Sequence, residues 1–277
     1  VQSEDGTLIW AASAGCSADQ APVIIFAPGF SSSSLTFRKQ FQDENLLRKI
    51  FISLLLVTYE PRGQCRSQQP LSESAYSSEK NAQDFKAVCD RYGVKTAVLA
   101  GWSYGGLIAT DAFSHLGPGW IRGIVYLLGV PWRSMLPEVL HSDGVNALQP
   151  LIEGDAEEVA KSLSSVLDTC FHSSSISSMS YSEHSALAGV IAQQNPTARR
   201  LLMNARHQDH TKLLQEAKHL PTMLVIGEFD RQIYWGKLDS FLKGHFPLYR
   251  LSLIEGVGHS AFWEKPEEVN PLLETFV

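Results

Sequence analysis

The stretch that decides the fold of this 277-residue chain is Gly101-Trp102-Ser103-Tyr104-Gly105-Gly106. An apolar run, residues 96–100, precedes it, and a helix-compatible run, residues 107–113, follows it. This order predicts a strand, a sharp turn and a helix, with the serine exposed in the turn at the C-terminal edge of a sheet. Glycines two residues before and after the serine remove the Cβ atoms that would collide in so tight a bend. The pattern therefore predicts a nucleophilic serine at position 103.

Two predicted strands further along the chain are each followed by a residue that could activate this serine. Residues 221–227 predict a buried strand that ends before Asp230, and residues 248–253 predict another that ends before His259. Active sites of open α/β sheets gather at the carboxyl ends of the strands. We therefore expect Ser103 to be the nucleophile, His259 the general base and Asp230 the group that orients His259.

The acidic position has local alternatives. Glu228 lies two residues before Asp230, and Asp239 lies on the helix that is predicted to follow. The loop after the preceding predicted strand, residues 127–133, contains no acid. Asp230 is the assignment that we carry forward.

Three further motifs follow one another in the order of a known family. Residues 27–30 (Ala-Pro-Gly-Phe) come after an early strand, and residues 59–67 (Tyr-Glu-Pro-Arg-Gly-Gln-Cys-Arg-Ser) come after the next. Residues 256–259 (Gly-Val-Gly-His) precede residues 264–267 (Glu-Lys-Pro-Glu) near the end. With the serine turn, these motifs make the chain similar to the cap-bearing serine hydrolases of the α/β-hydrolase superfamily, which include esterases, lactonases and cofactor-free haloperoxidases. The resemblance covers nearly the whole chain.

The expected fold is α/β, with a mostly parallel sheet of about eight strands flanked by helices, because strand and helix patterns alternate over the first part of the chain. From residue 131 to residue 220 no strand pattern appears, and this is where such hydrolases insert a helical cap. The expected domains are a core of residues 1–130 and 221–277 and a cap of residues 131–220. Within the cap, residues 173–185 are serine-rich and fit either a mobile loop or a surface linker.

Several early elements can be given approximate bounds. Apolar patterns predict strands near residues 8–12 and 23–27, and helices near residues 36–49 and 78–92. The most apolar run, residues 50–57, is compatible with strand or helix and is interpreted as a buried parallel strand.

The resemblance also implies how the site handles its substrate. Backbone N–H groups of Phe30 and Tyr104 are expected to form the oxyanion hole, which holds the carbonyl oxygen as it becomes an alkoxide. Aromatic residues flanking the catalytic segments predict an apolar substrate pocket formed by Phe30, Trp102, Trp132 and Phe262. The alternative for these side chains is packing at the edge of the sheet.

The expected reaction is hydrolysis of a carboxylic ester or lactone of a small, apolar substrate through an acyl-enzyme. Perhydrolysis by a cofactor-free haloperoxidase is an alternative, in which peroxide replaces water, and cleavage of a C–C bond is another. A ligand receptor with the hydrolase fold is a third alternative. Dehalogenase and epoxide hydrolase chemistry is disfavoured, because those relatives have Asp where this chain has Ser103.

Composition limits the partners. The net charge of −6 and the lack of a basic stripe exclude nucleic acid as an expected partner, and no apolar run reaches the length of about 18 residues needed to span a membrane. No cofactor or metal is expected, since His207 and His210 lie among polar residues typical of a solvated helix. A small-molecule substrate is the expected partner.

Four cysteines without paired spacing argue against a disulfide framework or a zinc site: Cys16, Cys65, Cys89 and Cys170. Their usage favours a cytoplasmic protein. The chain begins at Val1, so removal of an N-terminal signal stays open.

Overall fold

The computed structural model describes residues 1–47 and 54–277. Its strands are β1 Ala11–Gly15, β2 Val23–Ala27, β3 Leu55–Tyr59, β4 Ala97–Trp102, β5 Ile121–Leu127, β6 Thr222–Gly227 and β7 Tyr249–Ile254. Its helices are α1 Arg38–Phe41, α2 Glu44–Leu47, α3 Ser78–Arg91, α4 Leu107–His115, α5 Leu136–Val139, α6 Ser142–Glu153, α7 Ala156–Cys170, α8 Ser173–Ser178, α9 Tyr181–Ala192, α10 Pro196–Asn204, α11 Thr211–Glu216, α12 Trp235–His245, α13 Ala261–Glu264 and α14 Pro266–Phe276. Short 3₁₀ helices lie at Ser34–Phe37, Glu73–Tyr76, Ser103–Gly106 and Arg133–Met135.

The central strands are buried on both faces because their sequences are continuously apolar. Every residue of β2, β4 and β6 is buried. Such runs are typical of parallel strands that helices cover on both sides. Along β2, Ile25 packs into the core on one face of the sheet, whereas Ile24 and Phe26 pack into the core on the other. This alternation follows from the two-residue period of a strand.

The sheet has the strand order β1-β3-β2-β4-β5-β6-β7. Among the strands that the structure describes, β1 pairs antiparallel with β3, and the other neighbouring pairs are parallel. The predicted fold class is thus confirmed, with seven strands in the described residues instead of about eight. β3 and β4 lie on opposite sides of β2, so the direction in which successive strands are added reverses here. A crevice therefore opens beyond the carboxyl ends of β2 and β4.

The first strand differs from its prediction. It begins at Ala11, three residues later than expected, and Leu8 is 59% exposed. Leu8 forms an isolated antiparallel bridge with Gln2 instead. The apolar side chain at position 8 therefore misled the prediction, because it does not face the core.

The region between β2 and β3 is only partly described. The predicted helix of residues 36–49 is interrupted, since Asp43 accepts hydrogen bonds from the backbone N–H groups of Asn45 and Leu46 and so starts α2 as a separate turn. The rest of that helix and the first part of the predicted strand 50–57 lie outside the described residues.

The chain between β5 and β6 forms α5 to α11. Side-chain caps start several of these helices: Asp155 makes a capping box with Glu158 before α7, and Ser180 makes one with Glu183 before α9. The serine-rich residues 173–185 accordingly form α8 and the start of α9, so their prediction as a loop or linker was wrong. No helix in the described ranges combines the length and the apolar character needed to cross a membrane.

Candidate active site

The turn between β4 and α4 holds Ser103 in a left-handed backbone conformation, with φ of +52°. Gly101 and Gly105 permit the tight turn because they have no Cβ atom. A Cβ atom on Gly101 would lie 2.7 Å from the Gly105 carbonyl oxygen, and one on Gly105 would lie 2.1 Å from the Ala27 oxygen. Non-glycine residues at positive φ are strained by about 1–3 kcal/mol and persist only where the surroundings hold them. The strained backbone presents the half-buried Ser103 beyond the end of β4.

Asp230 and His259 form a buried pair beside this turn. Asp230 lies three residues past β6 and His259 five residues past β7. The distance between His259 Nδ1 and Asp230 Oδ2 is 2.7 Å, and both side chains are fully buried. The second oxygen, Oδ1, accepts hydrogen bonds from the backbone N–H groups of Gln232 and Ile233, at 2.6 and 2.9 Å. Asp230 is therefore held at both oxygens and fixes the ring of His259.

The other ring nitrogen, Nε2 of His259, is buried and has no hydrogen-bond partner among the described residues. His259 and Ser103 line the same cavity. A neutral imidazole held at Nδ1 by a carboxylate presents Nε2 as a proton acceptor, which is the arrangement that a general base needs.

The alternative acids are engaged elsewhere. Glu228 Oε2 accepts a hydrogen bond from the Gly256 N–H at 3.0 Å, and Asp239 Oδ1 accepts one from the Tyr249 hydroxyl at 2.6 Å. The geometry thus favours Asp230 as the partner of the histidine.

The loop after β2 lies directly against the serine turn. A Cβ atom on Gly29 would lie 3.0 Å from the Trp102 ring and 3.3 Å from the Ser103 Cβ. The rings of Phe30 and Tyr104 are 5.7 Å apart, centroid to centroid. The side chains of the two residues expected to donate their backbone N–H groups to an oxyanion are therefore in contact, and the loop of Phe30 lies next to Ser103.

The side chains of Trp102 and Tyr104 have structural partners. Trp102 Nε1 donates to the carbonyl oxygen of His259 at 3.0 Å, which ties the histidine loop to the serine turn. The Tyr104 hydroxyl donates to the Leu202 oxygen at 2.5 Å, and burial raises the pKa of this phenol. The hydroxyl of Tyr104 is thereby anchored to α10.

A cavity of about 340 Å³ opens onto Ser103 and His259, and its wall is mostly apolar. The sheet-edge loops contribute Phe30, Trp102 and Tyr104. The helical segment contributes the other side, including Val145, Leu148 and Ile152 of α6 and Met203 of α10. The space fits a small organic molecule that is largely apolar.

Two of the aromatic residues predicted to line this pocket lie elsewhere. Trp132 stacks on His210, with ring centroids 4.1 Å apart, and meets the edge of Phe241. Phe262 is 1% exposed and packs between Trp102 and Phe37. Neither belongs to the cavity wall. Both predictions are corrected: these rings pack against other aromatic side chains, Trp132 on His210 and Phe241 and Phe262 on Trp102 and Phe37, instead of facing the cavity.

Sequence reasoning missed the wall formed by α6. Val145, Leu148, Gln149 and Ile152 are spaced at i, i+3, i+4 and i+7, which places them on one face of a helix. This spacing could have predicted that the four side chains share one face of a helix. Arg133, next to Trp132, lines the cavity as well and donates from Nε to the Met203 carbonyl oxygen.

Glu264 joins the histidine loop to the helical segment. Its Oε1 accepts a hydrogen bond from the Gly258 N–H at 2.8 Å, and its Oε2 accepts one from the His172 N–H at 2.9 Å. The backbones meet so closely that a Cβ atom on Gly258 would lie 2.8 Å from the His172 nitrogen. One carboxylate therefore fixes the loop of His259 against the end of α7.

No group of three or more His, Cys, Asp and Glu side chains in residues 1–47 and 54–277 is placed to hold a metal ion. His210, whose spacing from His207 raised that question, lies flat against Trp132.

The chain is similar to characterised folds over its full length. A protein from Burkholderia cenocepacia, provisionally described as an aryl esterase, is 27% identical with a TM-score of 0.87, and the match covers 100% of this chain and 96% of that one. An esterase from Rhodococcus sp. ECU1013 is 24% identical with a TM-score of 0.81, covering 99% and 96%. A bromoperoxidase from Bacillus anthracis is 19% identical with a TM-score of 0.75, covering 98% and 95%. The model of the alpha/beta hydrolase fold family matches residues 22–266. The chain therefore belongs to the alpha/beta hydrolase fold family.

Proposed function

We propose that this protein is a serine hydrolase that cleaves a carboxylic ester or lactone of a small, largely apolar substrate through an acyl-enzyme. The observation that carries the proposal is the fully buried His259–Asp230 pair, 2.7 Å apart, whose free Nε2 lies in the same cavity as Ser103. A buried histidine with one nitrogen fixed and the other unsatisfied is costly for stability alone. It is useful where a proton must be taken from a neighbouring hydroxyl.

In the proposed reaction, the Ser103 oxygen attacks the carbonyl carbon while His259 Nε2 takes the hydroxyl proton. Asp230 holds the imidazole and stabilises the imidazolium that forms. The backbone N–H groups of Phe30 and Tyr104 donate to the tetrahedral oxyanion. Collapse breaks the C–O bond, and His259 gives its proton to the leaving alcohol. A water molecule, deprotonated by His259, then attacks the acyl-enzyme, and His259 returns that proton to the Ser103 oxygen as the acyl C–O bond breaks and the acid is released. No step requires a metal or cofactor.

We also propose that residues 131–220 act as a cap on a core of residues 1–130 and 221–277. The composition of the cavity wall supports this division, because the reacting groups come from loops at strand ends and most of the aliphatic surface comes from residues 136–203. Phe30 and Trp102 complete the apolar surface from the core side. The cap then selects the substrate, and the core performs the chemistry.

The comparisons support ester hydrolysis more than the alternatives. The Burkholderia protein described as an aryl esterase has the highest identity of the three structures compared, and the Rhodococcus structure is of an esterase. Perhydrolysis would use the same acyl-enzyme. The two reactions differ in whether water or peroxide attacks that acyl-enzyme.

A panel of esters and lactones, assayed with and without peroxide, tests the proposal. We expect turnover of short apolar esters, and a serine-directed fluorophosphonate that modifies Ser103 alone, as mapped by mass spectrometry. Brief reaction with substrate followed by acid quenching is expected to leave the acyl group on the peptide that contains Ser103. An adduct on another residue, or turnover without any acyl-enzyme, would exclude this mechanism.

A further inference from the structure

Ser31, the residue after Phe30, has a strained backbone. Its φ is +52°, and it is 1% exposed. Non-glycine residues rarely adopt this left-handed conformation, and they keep it only where contacts hold them there. Because Ser31 follows Phe30 directly in the loop after β2, a displacement of Ser31 would also displace the Phe30 backbone.

The contact that holds Ser31 comes from outside its own loop. Its hydroxyl donates to Gln194 Oε1 at 2.5 Å. Gln194 Nε2 in turn donates to the Gly63 carbonyl oxygen at 2.7 Å. Gln194 lies between α9 and α10 and is 2% exposed. A single amide from the helical segment therefore bridges the loop after β2 and the loop after β3.

Gln194 is itself held by a buried cation. Arg199 Nε donates to Gln194 Oε1 at 3.3 Å, Nη1 donates to the Leu151 oxygen at 3.1 Å, and Nη2 donates to the Ile191 oxygen at 2.7 Å. No carboxylate forms an ion pair with Arg199 within the described part of the chain. Leu151 and Ile191 lie in the last turns of α6 and α9, where the helix dipoles favour a positive charge. Carbonyl oxygens at the ends of two helices thus bind the guanidinium of Arg199 and hold it against Gln194.

We propose that Gln194 is a positioning residue for the loop after β2: through Ser31 it holds this loop, and with it the Phe30 N–H, in the position needed to bind the oxyanion. This inference rests on the proposed function. An oxyanion donor acts mainly on the transition state, so its misplacement lowers kcat more than it raises KM. The helical segment would then contribute to the acyl-transfer step as well as to the choice of substrate.

The test compares Gln194→Leu with Gln193→Leu, its exposed neighbour, on a minimal acetate ester. We expect Gln194→Leu to lower kcat about 10-fold or more, since loss of a whole oxyanion donor costs roughly 10²–10³-fold, with KM within about twofold of wild type. Inhibition by a trifluoromethyl ketone, which forms an oxyanion on Ser103, should weaken in parallel with kcat/KM. A loss of folded protein would lower the apparent kcat but would leave the inhibition constant of the ketone unchanged, so the ketone separates the two explanations.

Ser31 supplies an independent arm. Ser31→Ala keeps the strain but loses the hydroxyl, whereas Ser31→Gly loses the hydroxyl and adopts positive φ without strain. We expect Ser31→Gly to retain more activity than Ser31→Ala, and the double variant Ser31→Ala/Gln194→Leu to be no slower than the slower single variant.

Three outcomes would overturn the inference: a kcat for Gln194→Leu within about twofold of Gln193→Leu, losses that multiply in the double variant, or a Ser31→Ala enzyme as active as Ser31→Gly. If Gln194→Leu does not fold, the comparison of the two Ser31 variants decides. A wild-type protein that turns over no ester and leaves Ser103 unlabelled would reject the proposed function itself. An active wild type with an unaffected Gln194→Leu rejects only the role of Gln194.

Discussion

The strand-end loops and the helical segment between β5 and β6 build opposite sides of one cavity by different means. In the strand-end loops the backbone determines the site: Ser103 is at positive φ, Asp230 is fixed by two peptide N–H groups, and glycines allow contacts that any Cβ would block. In the helical segment, ordinary aliphatic side chains form the wall, including those on one face of α6. Chemistry depends on backbone geometry that few sequences satisfy, whereas a pocket wall can be built from many.

This comparison predicts its largest effect at Ser103. Replacement by Ala removes the hydroxyl that lines the same cavity as His259, so ester turnover should fall about 10⁴-fold or more. The measurement is the initial rate on a short ester, together with fluorophosphonate labelling. Ser260→Ala is the matched control, because Ser260 adjoins His259 and its buried hydroxyl has no partner in the described residues. If Ser260→Ala loses the label and Ser103→Ala keeps it, the nucleophile has been misassigned.

A somewhat smaller loss is expected at Asp230. Asp230→Asn preserves the shape and the hydrogen bonds from Gln232 and Ile233 to Oδ1, but an amide nitrogen facing His259 Nδ1 favours the wrong ring tautomer. A loss of kcat of about 10³–10⁴-fold should follow, with KM little changed.

Asp239→Asn provides the comparison for that substitution, since Asp239 holds the Tyr249 hydroxyl away from the site. A variant Asp230→Asn with near wild-type kcat would mean that another group orients the histidine.

The sequence predicted the strand-end loops better than it predicted the pocket wall. The serine turn and the two strand-end residues were accessible because Gly101, Gly105 and the order of strands leave few alternatives. The fold class followed from the alternating apolar runs. The pocket residues were harder, because Trp132 and Phe262 satisfy a pocket and a core equally well by composition. Packing against His210 and Phe37 decided in favour of the core.

Other features depend on contacts between distant residues and left no local pattern. Gln194 meets Ser31 across 163 positions, and Glu264 meets His172 across 92. The serine-rich residues 173–185 formed helix instead of loop, because the caps at His172 and Ser180 satisfy the free N–H groups that begin α8 and α9. Helix-capping residues outweighed the low helix propensity of serine.

Leu148 and Trp132 separate the pocket wall from the core. Leu148→Ala should change the preference between long and short acyl esters by about 10-fold, because a lost hydrophobic pocket contact is worth roughly that factor. The rate on an acetate ester should change little. Trp132→Ala should leave the preference unchanged and lower the free energy of unfolding by about 3–5 kcal/mol, since it removes a buried ring stacked on His210. Ester panels and denaturant unfolding measure the two effects. The reverse result would place Trp132 in the pocket after all.

The smallest effect is expected where the two regions are joined, at Glu264. Glu264→Gln replaces one carboxylate oxygen by an NH₂ group, which accepts no hydrogen bond. The side chain can then no longer accept from both the Gly258 and the His172 N–H groups. One backbone N–H is then left without its acceptor, which costs about 1–3 kcal/mol of stability. Because Gly258 immediately precedes His259, part of that cost should appear as a loss of kcat of about 3- to 10-fold on every ester, without a change in preference. Glu267→Gln, an exposed change on α14, serves as the control. A variant Glu264→Gln that alters only ester preference would show that this carboxylate shapes the pocket and leaves the position of His259 unchanged.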